Sequence, residues 1–290
     1  MKRARRWKIF GALLVASFIL GVIFVWNIGS VLVSSANQPI GNPPDNLPAK
    51  NVEFPSASGA TIHGWFVPGE PGRGAVILLH GVHANRRAML GRAEFLSRVG
   101  YAVLLFDFQG HGESLGTNIT FGFLESRDAT AAVEWLGKKI PGEKIGVIGV
   151  SLGAASALLA EPPLPVNALV LESSFPTIYL ATEDRMMERF GFLGRLATPL
   201  LTCQLKPRLG ISPADLQPIE HAQKITTPKF FIAGTTDQLT TIEESKTMFA
   251  AAAEPKQCWW LAGAAHVDMH AFARAEYERR VGEFLAANLR

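Results

Sequence analysis

Gly149-Val150-Ser151-Leu152-Gly153 closes the apolar run KIGVIGV and opens onto a stretch of small residues. Glycine two places before and two places after a serine, between a strand and a helix, is the pattern of a nucleophile elbow. Such a turn forces the serine into a sparsely allowed backbone region, at a cost of about 1–3 kcal/mol. Side chains at 149 or 153 would strike the adjoining strand and helix, and Ala154 and Ala155 let that helix lie close to the sheet. The hydroxyl is thereby raised at the sheet's end, beside a helix N-terminus that favours developing negative charge.

A serine hydroxyl is a poor nucleophile until a base takes its proton, and histidine is the usual base. Seven histidines are available, at 63, 80, 83, 111, 221, 266 and 270. The order of a triad on such an elbow is serine, acid, histidine. His266, in the loop AGAAHVDMH after the final apolar strand, fits that order. His270 reads as a surface or helix-start residue, and His221 as a residue at the edge of an insertion. The orienting acid should leave the strand before that loop, and KFFIAGTTDQLT offers Asp237. Its carboxylate would accept the ring N–H of His266 and stabilise the imidazolium. Asp215 falls in the insertion, and Asp268 is too near His266 in sequence to face it. The oxyanion needs two backbone N–H groups. Leu152 supplies one and Val82, in the HGVHANR loop, the other. The chemistry is acyl transfer from an ester, thioester or amide carbonyl, through an acyl-serine, to water. His266 must be neutral to act, so activity should fall as pH drops below roughly 6–7.

Asp107 and His111, in DFQGHGES, form a second carboxylate–histidine pair in sequence. Gly110 and Gly112 suit a tight turn, and the segment reads as packing around the site's mouth. His80 and His83 read as loop-shaping residues.

These groups need a frame. NVEFPSASGATIHGWFVPG reads as two strands joined by a Ser-Gly turn. Strands then alternate with helices: AVILLH, a helix over 86–99, YAVLLFDF, a helix over 123–139, KIGVIGV, a helix over 152–160, ALVLESS, KFFIAGT, a helix over 242–253, QCWWLAG, and a final amphipathic helix over 273–289. Continuous apolar strands between helices predict an α/β domain with a mostly parallel sheet covered on both faces. Residues 175–223 break the rhythm with helical, proline-punctuated sequence, and read as a lid over the carboxyl ends of the strands. Its segment MMERFGFLGRLATPLL is apolar on much of its surface. Three roles fit: lining an acyl pocket, touching a membrane, or packing on the domain.

Residues 1–8 are basic, and residues 9–33 carry no charge, long enough as a helix to cross a hydrocarbon core of about 30 Å. Basic residues before the span predict a cytoplasmic N-terminus and an exported domain. A retained anchor fits the length of the run, and a signal peptide cleaved near Ser34–Ala36 is the alternative. Residues 34–50, with four prolines, read as a semi-stiff linker rather than a folded element.

The net charge of +3 includes Lys2, Arg3, Arg5, Arg6 and Lys8, without which the rest stands at −2. No basic stripe alternates with aromatics, so no nucleic-acid partner is expected. Cys203 and Cys258 make neither a disulfide framework nor a zinc set. They read as two buried inert thiols, with a single bridge open in an oxidising compartment. No cofactor or metal is expected.

HGVHANR, DFQGHGES, GVSLG, PKFFIAGTTDQLT and GAAHVDMH together resemble the α/β-hydrolase superfamily, most of all its membrane-anchored Bem46-like and serine aminopeptidase-like groups. The resemblance spans about residues 51–290. It implies an α/β-hydrolase fold with an eight-stranded type of sheet, and an esterase, thioesterase, lipase or peptidase that works without a cofactor. Two positions depart from the pattern: Leu239-Thr240-Thr241 stands where Val-Pro is common, and Ala154 where a further glycine is common. Neither removes a catalytic group. An acyl substrate, small or lipid, is the expected partner. A peptidase, an acyltransferase using the same triad and a non-catalytic binding protein are the alternatives.

Overall fold

The computed structural model describes residues 2–290. The chain opens with helix α1 (Lys2–Val33), then strands β1 (Ala36–Asn37), β2 (Lys50–Pro55), β3 (Thr61–Val67) and β4 (Ala75–Leu79). Next come α2 (Leu90–Arg98), β5 (Ala102–Phe106), β6 (His111–Gly112), α3 (Glu125–Lys139), β7 (Ile145–Val150), α4 (Leu152–Leu158) and β8 (Ala168–Glu172). The insertion holds α5 (Ile178–Phe190), α6 (Phe192–Thr202), α7 (Leu205–Leu209) and α8 (Pro218–Ala222). The chain closes with β9 (Lys229–Gly234), α9 (Ile242–Ala251), β10 (Lys256–Leu261), α10 (Met269–Phe272) and α11 (Arg274–Leu289).

Eight strands form one sheet in the order β2-β3-β5-β4-β7-β8-β9-β10. From β5 to β10 every pairing is parallel, and β3 runs antiparallel to both its neighbours. This is the α/β-hydrolase fold expected from the sequence. The central parallel strands β4, β5 and β7 carry no polar side chain because helices cover both faces. In β4, Ala75, Ile77 and Leu79 join the core on one face while Val76 and Leu78 join that on the other. Burying one such Leu or Ile contributes about 1.5–3 kcal/mol, so the central strands hold the frame on which the loops rest.

Helix boundaries shift where the local chain has other demands. The expected helix over 86–99 begins as a 3-10 turn, Arg86–Met89, whose start is capped by Asn85. The linker reading is corrected. β1 pairs in parallel with β6, and Ile40 and Leu47 are buried in the core. The N–H groups of Ile40 and Gly41 both donate to Glu113 Oε1 at 3.0 Å. Two apolar side chains and one carboxylate acceptor suffice to seat a proline-rich strap that has few N–H groups of its own. The thiol reading is corrected as well: both cysteines are free, Cys203 exposed and Cys258 half-buried. Cys203 caps the end of α6, in an insertion that stands off the sheet and so leaves it in solvent.

α1 is long and apolar enough to cross a membrane, and none of its most apolar stretch is covered by the rest of the protein.

Candidate active site

Ser151 closes β7 and precedes α4, with φ 51° and ψ −107°. A Cβ-bearing residue in that region carries a strain of about 1–3 kcal/mol. The flanking glycines are required by space: a Cβ on Gly149 would stand 2.6 Å from Ala154 N, and one on Gly153 2.2 Å from Leu79 O. The Ser151 N–H donates to Glu172 O at 2.8 Å, which ties the turn to the end of β8.

Asp237 lies in the turn after β9 and His266 in the turn after β10. His266 Nδ1 donates to Asp237 Oδ2 at 2.8 Å, since an ionised carboxylate only accepts. Ser173, the residue after β8, donates its hydroxyl to the same oxygen at 3.2 Å. Leu239 and Thr240 donate their N–H groups to Asp237 Oδ1 at 2.8 and 2.9 Å. Burial works against the charged carboxylate. The bond and charge of His266 and those two N–H groups outweigh it, and Asp237 is held below the usual carboxylate range. The Leu-Thr-Thr departure noted in the sequence thus has its own function: Thr240 also bonds Ser173 O, and Thr241 caps α9.

Ser151 follows β7, and Asp237 and His266 follow β9 and β10; at the end of the intervening β8, Glu172 O accepts the Ser151 N–H and the Ser173 hydroxyl donates to Asp237. Among the described residues, neither Ser151 Oγ nor His266 Nε2 makes a hydrogen bond. Val82 and Leu152 border the same cavity as Ser151. Leu152 is the first residue of α4, so its N–H has no carbonyl one turn back to bond.

Of the remaining histidines, His83 borders the Ser151 cavity, and the rings of His80 and His111 are held by backbone groups. His80 Nδ1 donates to Gly81 O at 2.8 Å, and its Nε2 accepts the Phe108 N–H at 3.1 Å. His111 repeats the arrangement, with Nδ1 on Gln109 O at 3.1 Å and Nε2 accepting the His83 N–H at 3.2 Å. Burial, then the nearby His111, drives the His80 imidazole down to about 3, and burial lowers His111 too. Asp107 receives the Arg86 guanidinium at 2.9 Å, with both side chains buried. A Cβ on Gly112 would sit 2.1 Å from Asp107 Oδ2, which explains that glycine. His270 is a helix-start residue, at the beginning of α10, but not a surface one: it is buried, with Nε2 on Glu278 at 3.1 Å. His221 lies half-buried in α8, at the edge of the insertion.

Sequence reasoning missed a buried group behind the site. Arg92 of α2 pairs with Glu172 at 2.6 Å and with Asp268 at 2.8 Å. Tyr277 of α11 donates to Glu172 at 2.6 Å. Asp268 also caps α10, so this network fixes the loop that carries His266. The signal available was Glu172 itself, an acid ending an otherwise apolar strand. Also missed was Arg185 of α5, which borders the Ser151 cavity without an ion pair among the described residues. Beside it Asp184 Oδ2 is buried with no ordinary donor, and Glu244 faces it from α9. Burial, then Asp184, raises Glu244 to about 8.

The cavity at Ser151 is small, about 80 Å³, and its lining is largely apolar, including Phe121, Phe175, Ile178 and Met186. A larger hollow, about 440 Å³, opens between β9, β10 and α11 at the amino ends of the strands, remote from this chemistry.

The family model for serine aminopeptidases, S33, matches residues 70–217, half of the chain, from the strand before the Val82 loop through the elbow into the lid. The chain belongs to this family of α/β hydrolases. Its relatives include the uncharacterized protein Rv2307c of Mycobacterium tuberculosis, 30% identical over 277 residues, covering 92% of this chain and 90% of that one. YqkD of Bacillus subtilis is 25% identical and covers 95% of each chain. Among solved structures, the Pyrococcus furiosus esterase Pf2001 superimposes with a TM-score of 0.73 at 29% identity, covering 89% of this chain and 99% of that one. Family and neighbours agree on a hydrolase with an esterase-like architecture.

Proposed function

We propose that this S33-family member is a serine hydrolase of acyl esters or thioesters. Ser151 Oγ attacks the carbonyl carbon while its proton passes to His266 Nε2, and Asp237 holds the imidazolium. The Val82 and Leu152 N–H groups receive the charge on the carbonyl oxygen. The bond to the leaving group breaks as that group takes the proton from His266. Water then repeats the sequence on the acyl-serine, releasing the acid and restoring the hydroxyl. The observation that carries this reading is the 2.8 Å bond from His266 Nδ1 to Asp237, which leaves Nε2 uncommitted, together with the strained backbone of Ser151.

The apolar lining favours an acyl group over a peptide's amino terminus. The lid acids nearest the cavity are engaged elsewhere, Glu183 with Arg195 at 2.8 Å and Asp184 with Glu244. We read α1 as a retained anchor with a cytoplasmic N-terminus and an exported catalytic domain. A fluorophosphonate probe should label the protein through Ser151 alone. p-Nitrophenyl esters of rising chain length, run beside aminoacyl nitroanilides, decide ester against amide. Preferred cleavage of the nitroanilides would replace this reading with an aminopeptidase.

A further inference from the structure

From Ile9 to Phe24 every residue of α1 is exposed, and from Val25 onward one face of the helix is covered by the lid. The contact is close. A Cβ on Gly29 would stand 2.3 Å from Gln204 Oε1. Arg208 donates to Ser30 Oγ at 2.9 Å and to Trp26 O, and its guanidinium lies 4.0 Å from the Trp26 ring centre. One turn nearer the apolar span, Phe24 meets Phe190 edge to face, with ring centres 6.5 Å apart.

Leu32 projects from the same end of α1 into the cavity that holds Ser151. A second, smaller cavity lies between α1 and the lid, bounded by Gly29, Leu32 and Leu205 among others. The two share Leu32, Phe121, Ile178 and Thr182, so an apolar tract runs from the serine to the base of α1. Alongside, α6 leaves Phe192, Leu193, Leu196 and Leu200 exposed, at 72%, 70%, 61% and 53%. The last three recur at the spacing of one helix face.

Resting on the serine-hydrolase reading above, we propose that α1 is one wall of the acyl pocket, that α6 lies in the bilayer beside it, and that the substrate's acyl chain enters from the lipid between the two. The Phe24–Phe190 contact puts the α5–α6 turn at the level of the apolar span. The bare face of α6 is then continuous with the bare face of α1, and one occupant, the hydrocarbon, covers both. Arg208 stands at the base of the span, with a long stem suited to reaching the interface. The cavity at Ser151 is below the roughly 300–1,000 Å³ of ordinary ligand pockets. A long chain therefore needs the tract beyond Leu32, and cleavage of α1 as a signal would remove its wall.

The test uses the full chain in vesicles of phosphatidylcholine and phosphatidylglycerol. A fluorophore is attached at Leu196→Cys, or at Glu254→Cys at the amino ends of the strands, with Cys203→Ser and Cys258→Ser in both. Nitroxide-bearing lipids should quench the probe at 196 several-fold more than at 254. Equal quenching overturns the docking of α6. The Leu32→Trp variant should lower the ratio of kcat/KM for a vesicle-borne palmitoyl ester to that for an acetyl ester by about tenfold, since bulk at Leu32 denies burial to about two methylenes. An unchanged ratio overturns the pocket wall. Ser151→Ala separates the two proposals: hydrolysis that survives it removes the serine mechanism but leaves the quenching comparison standing.

Discussion

Two clusters at the carboxyl ends of the strands use the same residue types to opposite ends. In one, His80 and His111 lie near Asp107; in the other, His266 faces Asp237. Each of the three imidazoles commits Nδ1 to an oxygen. His80 and His111 also commit Nε2 to a backbone N–H, whereas His266 does not. Asp107 is neutralised by Arg86 in the core, while Asp237 is left for a ring that is itself partly exposed, at 22% of its side chain. A carboxylate beside a histidine is thus not a catalytic signal by itself. Between these two clusters the difference is His266 Nε2, which makes no hydrogen bond among the described residues.

The comparison can be broken most directly at the Asp237–His266 pair. Ser151→Ala or His266→Ala should lower kcat by about 10⁴–10⁶, and Asp237→Asn by about 10⁴, because the tautomer is lost. Thermal unfolding of Ser151→Ala should match the parent. A hydrolytic rate that survives these changes would return the first cluster to consideration. The counterpart is Arg86→Met, which strands the buried Asp107. It should cost about 3–5 kcal/mol in urea unfolding while leaving kcat per folded molecule within a few-fold. Loss of kcat without loss of stability would reverse the roles assigned to the two clusters.

Smaller effects sharpen the same contrast. His80→Phe deprives the Phe108 N–H of its acceptor and should cost about 1–3 kcal/mol. His80 also sets an acid limb. Its folded value, about 3, lies below its ordinary 6.5, so the folded state binds fewer protons between them. The stability this residue contributes is complete above about 6.5 and declines as pH falls toward 3. His80→Gln should flatten that part of a plot of Tm against pH. The smallest effect is expected at the lid. Glu244, raised to about 8 chiefly by burial and Asp184, contributes stability that is complete below its ordinary 4.5 and is lost as pH rises through 8. Glu244→Gln should remove that alkaline decline, measured by the same melts.

Much of the fold was legible because its signals are local. Apolar runs such as AVILL and IGVIGV are buried on both faces and read as strands wherever they occur. The Ser-Gly turn and the insertion's place between β8 and β9 followed from position along the chain. The strap over 34–50 was not legible, because two buried side chains, Ile40 and Leu47, outweigh a composition that reads as linker. The Glu172–Arg92–Tyr277 group was equally hidden, since its members lie 80 and 105 positions apart.

By itself, then, the sequence determined the tight strand-to-helix turn at Ser151. Gly149 and Gly153 are demanded by atoms a few residues away or on the adjoining strand, and a steric exclusion of that range is written in residue types and spacing. Only the tertiary structure decided that His80 and His111 have both ring nitrogens engaged while His266 Nε2 makes no hydrogen bond among the described residues, and what α1 touches when it leaves its apolar span. Arg208 reaches back 182 positions to Trp26, and His80 is occupied by a backbone N–H from another strand's end. Burial and hydrogen-bond commitment come from whatever the fold brings near, and no local pattern records them.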